Sequence, residues 1–203
     1  MSFLTTVWEG IIATSLIEWL AFVSSILYVI LAAKQLIICW LFGFIGSALY
    51  IYVCYSGALY IESFLQLFYV AMAVVGWLTW KNSESNSSIK KWGLNKHLQN
   101  IVISGGVAFV LGYLFNNYTN QANPYVDAFT TCYSLSATFM VTKKILGNWI
   151  YWIVVDIVSI YLYGQQGYNL AAVQYVIFTI LAISGFITWH KQLKRQEECL
   201  KSQ

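Results

Sequence analysis

Trp149, Trp152, Asp156, Ser159 and Tyr163 follow one another at steps of three and four, just after Asn148. On a helix that spacing puts them on one face. Asp156 lies seven residues beyond Trp149, or about 10 Å deep at a rise of about 1.5 Å per residue. In a hydrocarbon core about 30 Å thick, that is well inside a membrane. A carboxylate at such depth is costly and faces a cavity or a partner. Two chemistries fit it: a hydrogen-bonded structural acid, or the counter-charge in an aromatic-walled pocket for a cationic or polar ligand. Trp152 suits the pocket, because an indole over a flat cationic ring gains about 0.5–2 kcal/mol.

The chain around this face is built for lipid. Of its 203 residues 59% are hydrophobic and only 9% charged, where a soluble domain has about 25% charged. The net charge of +3 therefore gives no reason to expect nucleic acid. Met1 to Gly10 lack a basic start and include Glu9, so no cleavable leader is expected. Cys39, Cys54, Cys132 and Cys199 form no CxxC pair, and neither a disulfide framework nor a metal site is indicated. The two histidines, His97 and His190, fall in basic segments away from Asp156, and no GxSxG, HExxH or phosphate loop occurs. An enzyme is not expected, and no cofactor is called for.

Seven apolar segments must position the Asp156 face, giving an all-α integral membrane protein. They run about Glu18–Ala33, Ile37–Tyr55, Tyr60–Trp80, Leu98–Phe115, Val126–Val141, Trp149–Tyr163 and Leu170–Trp189. Residues 1–15 read as an outer arm, and Ser56-Gly57-Ala58 as a tight turn. Residues 16–80 hold the first three helices. Residues 81–97 form a polar linker with a Ser/Asn run. Residues 98–124 hold the fourth helix and an outer loop with the only proline. Residues 125–190 hold the last three, and 191–203 a charged tail expected to fray. The fifth segment is polar, with Asp127, Thr130, Thr131, Ser134, Ser136, Thr138 and Thr142. It belongs inside the bundle, its hydroxyls bonded to neighbours or to its own carbonyls.

All eleven basic residues fall on one side of this seven-span arrangement. The positive-inside rule then places the N-terminus outside and the C-terminus in the cytoplasm. Trp40, Trp80, Trp92, Trp149 and Trp189 lie near the inner ends, as an aromatic belt would.

Sliding the chain along itself until Glu18 meets Asp127 superposes the two halves without a gap. At that one offset Ser25 meets Ser134, Lys34 meets Lys143 and Trp40 meets Trp149. Ile51-Tyr52 meets Ile160-Tyr161, Ala73 meets Ala182, Gly76 meets Gly185 and Thr79-Trp80 meets Thr188-Trp189. Helix ends and charges coincide as well. With one helix between them, the two three-helix units enter the membrane from the same side. They form a parallel repeat, whose site is expected between the halves near the midplane. Asp156 meets Ser47 and Trp152 meets Gly43, so the halves differ where an asymmetric ligand would sit.

Gln66-x-x-Tyr69 with Gly76-Trp77-x-x-Trp80, then Asp127-Ala128-Phe129-Thr130-Thr131, then Asn148-Trp149-x-x-Trp152-x-x-x-Asp156, resembles the PnuC family of bacterial vitamin transporters over about Glu18 to Trp189. The resemblance implies a 3+1+3 fold like a full-length SWEET facilitator, in the bacterial inner membrane. It implies facilitated diffusion of nicotinamide riboside, with thiamine and riboflavin carried by relatives, and a cytoplasmic kinase that traps the substrate. It also implies a homo-oligomer, with trimers known. Carried over by position, Gln66, Tyr69, Trp149, Trp152 and Asp156 would bind substrate. Where Asp156 stands, some nicotinamide riboside carriers have Asn. Nicotinamide riboside and thiamine are both flat aromatic cations, and a carboxylate suits either.

Each candidate has a plainer reading beside it. Trp149 is either a ligand wall or an interface anchor. Gln66, Gln174 and Tyr175 suit a carboxamide or hydroxyl, or an interhelical hydrogen bond. Tyr69 provides a ring wall or only buries area. Asn148, Glu18, Asp127 and Glu62 read as helix-start residues. Lys34 and Lys143 read as snorkelling side chains. Ala108-x-x-x-Gly112 suits close packing within or between chains, and Gly43, Gly46, Gly76 and Gly185 suit close packing or bending. A proton- or sodium-coupled symporter, a sugar facilitator and a seven-helix receptor are the alternatives. Asp156 has no evident charged partner for the first, the tryptophans disfavour the second, and the parallel repeat disfavours the third.

Overall fold

The computed structural model describes residues 8, 10–56, 60–82, 88–119, 123–167 and 169–201. Most of the expected outer arm, Gly57 and Ala58 of the expected turn, and the Glu62 side chain lie outside the described residues. The described chain is mainly helical, with one isolated parallel bridge between Lys90 and Ile145. Its long helices are α1 Leu16–Ala33, α2 Cys39–Ser56, α3 Tyr60–Asn82, α4 Leu94–Tyr118, α5 Pro124–Thr142, α6 Asn148–Gln165 and α7 Asn169–Lys201. By length and composition α1, α2, α4 and α7 are apolar enough to cross a membrane.

Local chemistry sets the helix starts. Ser15 and Glu18 form a capping box at α1, with Ser15 N–H donating to Glu18 Oε2 at 2.6 Å, which satisfies two otherwise orphaned donors. Pro124 opens α5 in the first turn, where its missing N–H leaves no bond unmade. The α5 hydroxyls turn back on their own helix: Thr138 Oγ1 donates to the Ser134 carbonyl at 2.8 Å and Thr130 Oγ1 to that of Asp127 at 3.0 Å. Ser136 exchanges hydrogen bonds with Asn100 of α4. A polar helix is thereby accommodated inside the bundle.

In the first half α1 packs on α2 and α2 on α3; in the second, α5 packs on α6 and α6 on α7. The halves meet along two seams, α1 with α7 and α3 with α5, while α4 packs on α5. The Ala108–Gly112 face serves that last contact within the chain, for a Cβ on Gly112 would lie 2.6 Å from Tyr125 Cδ1. Helix ends recur at the offset that superposes the halves: Ala33 matches Thr142, Cys39 matches Asn148, Ser56 matches Gln165 and Tyr60 matches Asn169. Gln35 is not matched by Lys143 but by Lys144, and these two both turn the chain with positive φ, 56° and 52°.

The aromatic-belt reading does not hold for four tryptophans. Trp40, Trp80, Trp149 and Trp189 are all buried in one core cluster. Each half builds the same unit there. Trp40 packs edge-on to Trp80, with ring centroids 5.4 Å apart, and its ring lies against Gly76 where a Cβ would collide. Trp149 packs edge-on to Trp189, also at 5.4 Å, and a Cβ on Gly185 would lie 2.6 Å from its ring. The glycines admit the indoles to the helix surface, which is why these rings leave the interface.

The expected frayed tail is instead the end of α7, helical to Lys201. No Pro or Gly follows Gly185, and Lys, Gln, Leu, Arg and Glu are strong helix formers. The Ser/Asn run of the linker at 83–87 lies outside the described residues, but its later part is tied down. Lys90 N–H donates to the Lys144 carbonyl and Leu146 N–H to the Lys90 carbonyl, both at 2.9 Å, and Ile89 is buried in the core. Lys91 reaches Glu197 of α7 at 2.8 Å, and its ammonium holds the Glu197 carboxyl below the usual range. Gln35 Nε2 donates to Gln192 Oε1 at 2.6 Å. The Lys91–Glu197 pair is solvated on both sides, and exposed pairs of this kind contribute little. Glu197→Gln is therefore expected to leave the thermal unfolding midpoint unchanged in detergent, whereas a drop would make this contact a structural tie.

Candidate functional site

A cavity of about 440 Å³ lies between the two halves, a size that suits a small organic ligand. Gln66, Tyr69, Trp149, Trp152, Asp156, Gln174 and Tyr175 all line it. The periodicity explains this: the face of α6 with Trp149, Trp152, Asp156, Ser159 and Tyr163 turns inward as one stripe. Tyr69 of α3 faces Ser134 of α5 and Asp156, and Tyr175 of α7 faces Tyr163, Tyr69 and Asp156. Tyr163 and Tyr175 stack at 5.3 Å with their planes 10° apart.

Asp156 is 3% exposed. Among the described residues no hydrogen bond or ion pair reaches its carboxylate, and no Lys, Arg or His stands on the cavity wall. A carboxylate so placed is unstable in isolation and calls for a counter-charge or a proton. Gln66 likewise has no hydrogen-bond partner among the described residues. Gln174 has one: its Nε2 donates to the Tyr50 hydroxyl at 3.2 Å, joining α7 to α2 across the cavity. Trp149 is a buried wall residue, so the interface-anchor reading is withdrawn. Asn148 is fully buried and donates from Nδ2 to the Ile145 carbonyl at 2.7 Å, a structural role at the start of α6. Asp127 opens α5 as expected but also reaches the cavity wall.

Tyr28 of α1 and Tyr50 of α2 were not foreseen on this wall. Tyrosine is common throughout this chain, so a single one gives no signal. The repeat does mark Tyr50, because its equivalent in the second half is Ser159, a member of the α6 stripe. Tyr28 is half of an exchange. It packs over Gly43, where a Cβ would lie 3.0 Å from its ring. The equivalents of Tyr28 and Gly43 are Ala137 and Trp152, and Trp152 packs against the cluster holding Ala137. Each half thus pairs one large ring with one small residue, on opposite helices.

The cavity has the chemistry of a site for a flat cation: one unpaired carboxylate, rings from both halves, and amides and hydroxyls for polar edges. Comparison with known proteins agrees with a transport cavity. The family model "Nicotinamide mononucleotide transporter" matches residues 15–191. Among curated relatives, the nicotinamide riboside transporter PnuC of Neisseria mucosa is 29% identical, over 88% of this chain and 74% of its own length. The protein of that name from Escherichia coli is 23% identical over 86% and 85%. The riboflavin/roseoflavin transporter RibM of Streptomyces davaonensis is 25% identical over 73% of each. A crystal structure of the vitamin B3 transporter PnuC superposes with a TM-score of 0.75 at 26% identity, covering 95% of this chain and 90% of that one.

Proposed function

Since the chain belongs to the nicotinamide mononucleotide transporter family, we propose that this multi-pass membrane protein carries nicotinamide riboside into the cell. Asp156 carries the reading: it is a buried, unpaired carboxylate on an aromatic-walled cavity. The pyridinium ring lies against Trp152 with Asp156 as its counter-charge. Gln66 and Gln174 bind the carboxamide and ribose, and Tyr69, Tyr175 and Trp149 close the walls. The wall's lack of basic side chains favours the riboside over the mononucleotide, whose phosphate would have no partner. Transport is facilitated diffusion by alternating access, and a cytoplasmic kinase traps the riboside as its phosphate.

The architecture proposed is a parallel 3+1+3 repeat, α1–α3 and α5–α7, with an axis along the membrane normal. The recurrence of helix ends at one offset and the paired seams α1–α7 and α3–α5 support it. The N-terminus is outside and the C-terminus in the cytoplasm of the inner membrane. Support comes from the basic residues, which follow α1, α3 and α5, cluster about the start of α4 and end α7. The chain forms a homo-oligomer, a trimer, as the family resemblance implies.

The test is binding by the purified protein, comparing nicotinamide riboside, nicotinamide mononucleotide, thiamine, riboflavin and glucose by titration calorimetry. Saturable binding of the riboside alone is expected. Selective thiamine binding would keep the pocket and reject the proposed substrate, and binding of glucose alone would reject the cationic site.

A further inference from the structure

The two-fold relation is strict at one end of the cavity and lost around Asp156. The wall nearest the core cluster is built from equivalent pairs, Trp40 with Trp149 and Ala73 with Ala182. Just beyond it, Trp80 Nε1 donates to the Thr142 carbonyl at 3.1 Å, and Trp189 Nε1 is shared between the Ala33 and Ala32 carbonyls at 3.1 and 3.2 Å. Thr142 and Ala33 are themselves equivalent in the repeat, and end α5 and α1. Each bond therefore crosses from one half to the last turn of the other. Together they lie on the two seams, α3–α5 and α1–α7, by which the halves touch.

We propose that Trp80 and Trp189 are paired latches of an inner gate, whose leaves are Trp40 and Trp149. This rests on the transporter reading above, but needs no particular substrate. Two features separate a latch from static packing. The acceptors are last-turn carbonyls, which water can satisfy as soon as the end opens, so release leaves no orphaned group. The leaves, moreover, are not at rest. The indole N–H groups of Trp40 and Trp149 are buried without an acceptor, an unfavourable state for a donor. Parting of the leaves gives both donors water or a passing ligand. A closed state held by two indole donors that water can replace, and burdened by two unmet donors, is one member of a two-state pair. Each ring is seated on a glycine of the next helix in its own half, Trp40 on Gly76 and Trp149 on Gly185, so each leaf would move with its half.

The test is sided accessibility of the full-length protein in membrane vesicles. The four cysteines are replaced by alanine, and Ala182→Cys, buried behind the leaves, reports through a membrane-impermeant sulfonated maleimide. Trp80→Phe and Trp189→Phe each keep a ring and delete one latch N–H. Each is expected to raise labelling about tenfold in inside-out vesicles, with little change in right-side-out ones. Trp77→Phe, on the same helix without the bond, should change nothing. Unchanged labelling in both latch variants, equal gains from both faces, or failure of both to yield monodisperse protein would overturn the latch. A gain confined to right-side-out vesicles would keep the latch and overturn the proposed orientation. Loss of riboside binding in the unmodified protein would overturn the substrate alone.

Discussion

Asp156→Asn is expected to reduce the preference for a flat cation over its neutral counterpart by at least about tenfold. The useful pair is nicotinamide riboside and its dihydro form, which share a sugar and carboxamide but differ in ring charge. A full charge pair at about 4 Å is worth roughly 4 kcal/mol at an effective dielectric near 20. Desolvation returns much of that, leaving about 1.5–3 kcal/mol for a charge-assisted contact. No other acid stands in the α6 stripe; Asp127 also reaches the cavity wall, but from the first turn of α5. The same change removes a buried unpaired carboxylate, so thermal stability without ligand should rise. Stronger resting stability with weaker cation selectivity is the signature of a binding acid. A structural acid would give the reverse: equal loss for both ligands and a lower unfolding midpoint. Binding of the mononucleotide should meanwhile improve in the variant, because its phosphate is no longer repelled.

This acid was legible in the sequence because burial depth is a one-dimensional property. Counting residues from Trp149 places Asp156 inside the apolar layer whatever the neighbouring helices do. The same holds for helix number. Among the wall residues only Trp149 and Trp152 share that three–four spacing with Asp156; Gln66 and Tyr69 were named through the family resemblance, and Gln174 and Tyr175 through their place in the repeat. The end of α1 was legible where Lys34 marks it, whereas Pro124, read as part of the outer loop, opens α5 instead, two residues before the expected start at Val126. The end of α7 was missed at Trp189 because an amphipathic cytoplasmic helix and a frayed tail share one composition, and only packing tells them apart. Leu193, buried in the core cluster, and the Gln35–Gln192 bond supply that packing.

The tryptophans failed for a related reason. A belt is a statement about depth, and Trp40, Trp80, Trp149 and Trp189 do sit at one level. Depth does not say whether a ring turns to lipid or to the neighbouring helix. That choice is made by glycines one helix further along the chain, Gly76 for Trp40 and Gly185 for Trp149. The exchange of Tyr28 and Gly43 for Ala137 and Trp152 was hidden in the same way. Once the repeat is aligned, however, it can be read as one constant volume. It shows how the halves diverge around Asp156 while keeping the bundle filled.

The glycine seats give the second large effect. Gly185→Ala is expected to lower the unfolding midpoint by several degrees and to abolish uptake. The new Cβ would lie 2.6 Å from the Trp149 ring, inside any tolerable carbon–carbon contact. The ring cannot yield easily, since Trp189 stands edge-on to it. Overpacking a tight core costs about 1–3 kcal/mol, which is several degrees in a domain of this size. Gly76→Ala must behave alike, because Trp40 and Trp80 repeat the arrangement. Gly43→Ala is the measure of scale: its Cβ meets the Tyr28 ring at 3.0 Å, and a shift of a few tenths of an ångström accommodates it. Adding Trp149→Leu to Gly185→Ala should recover much of the midpoint, since the smaller side chain vacates the seat. It should not recover transport, because the wall and gate have lost their indole. A Gly185→Ala protein that matched Gly43→Ala in both stability and uptake would show that the ring is free to move. The glycine would then be a bending point rather than a seat.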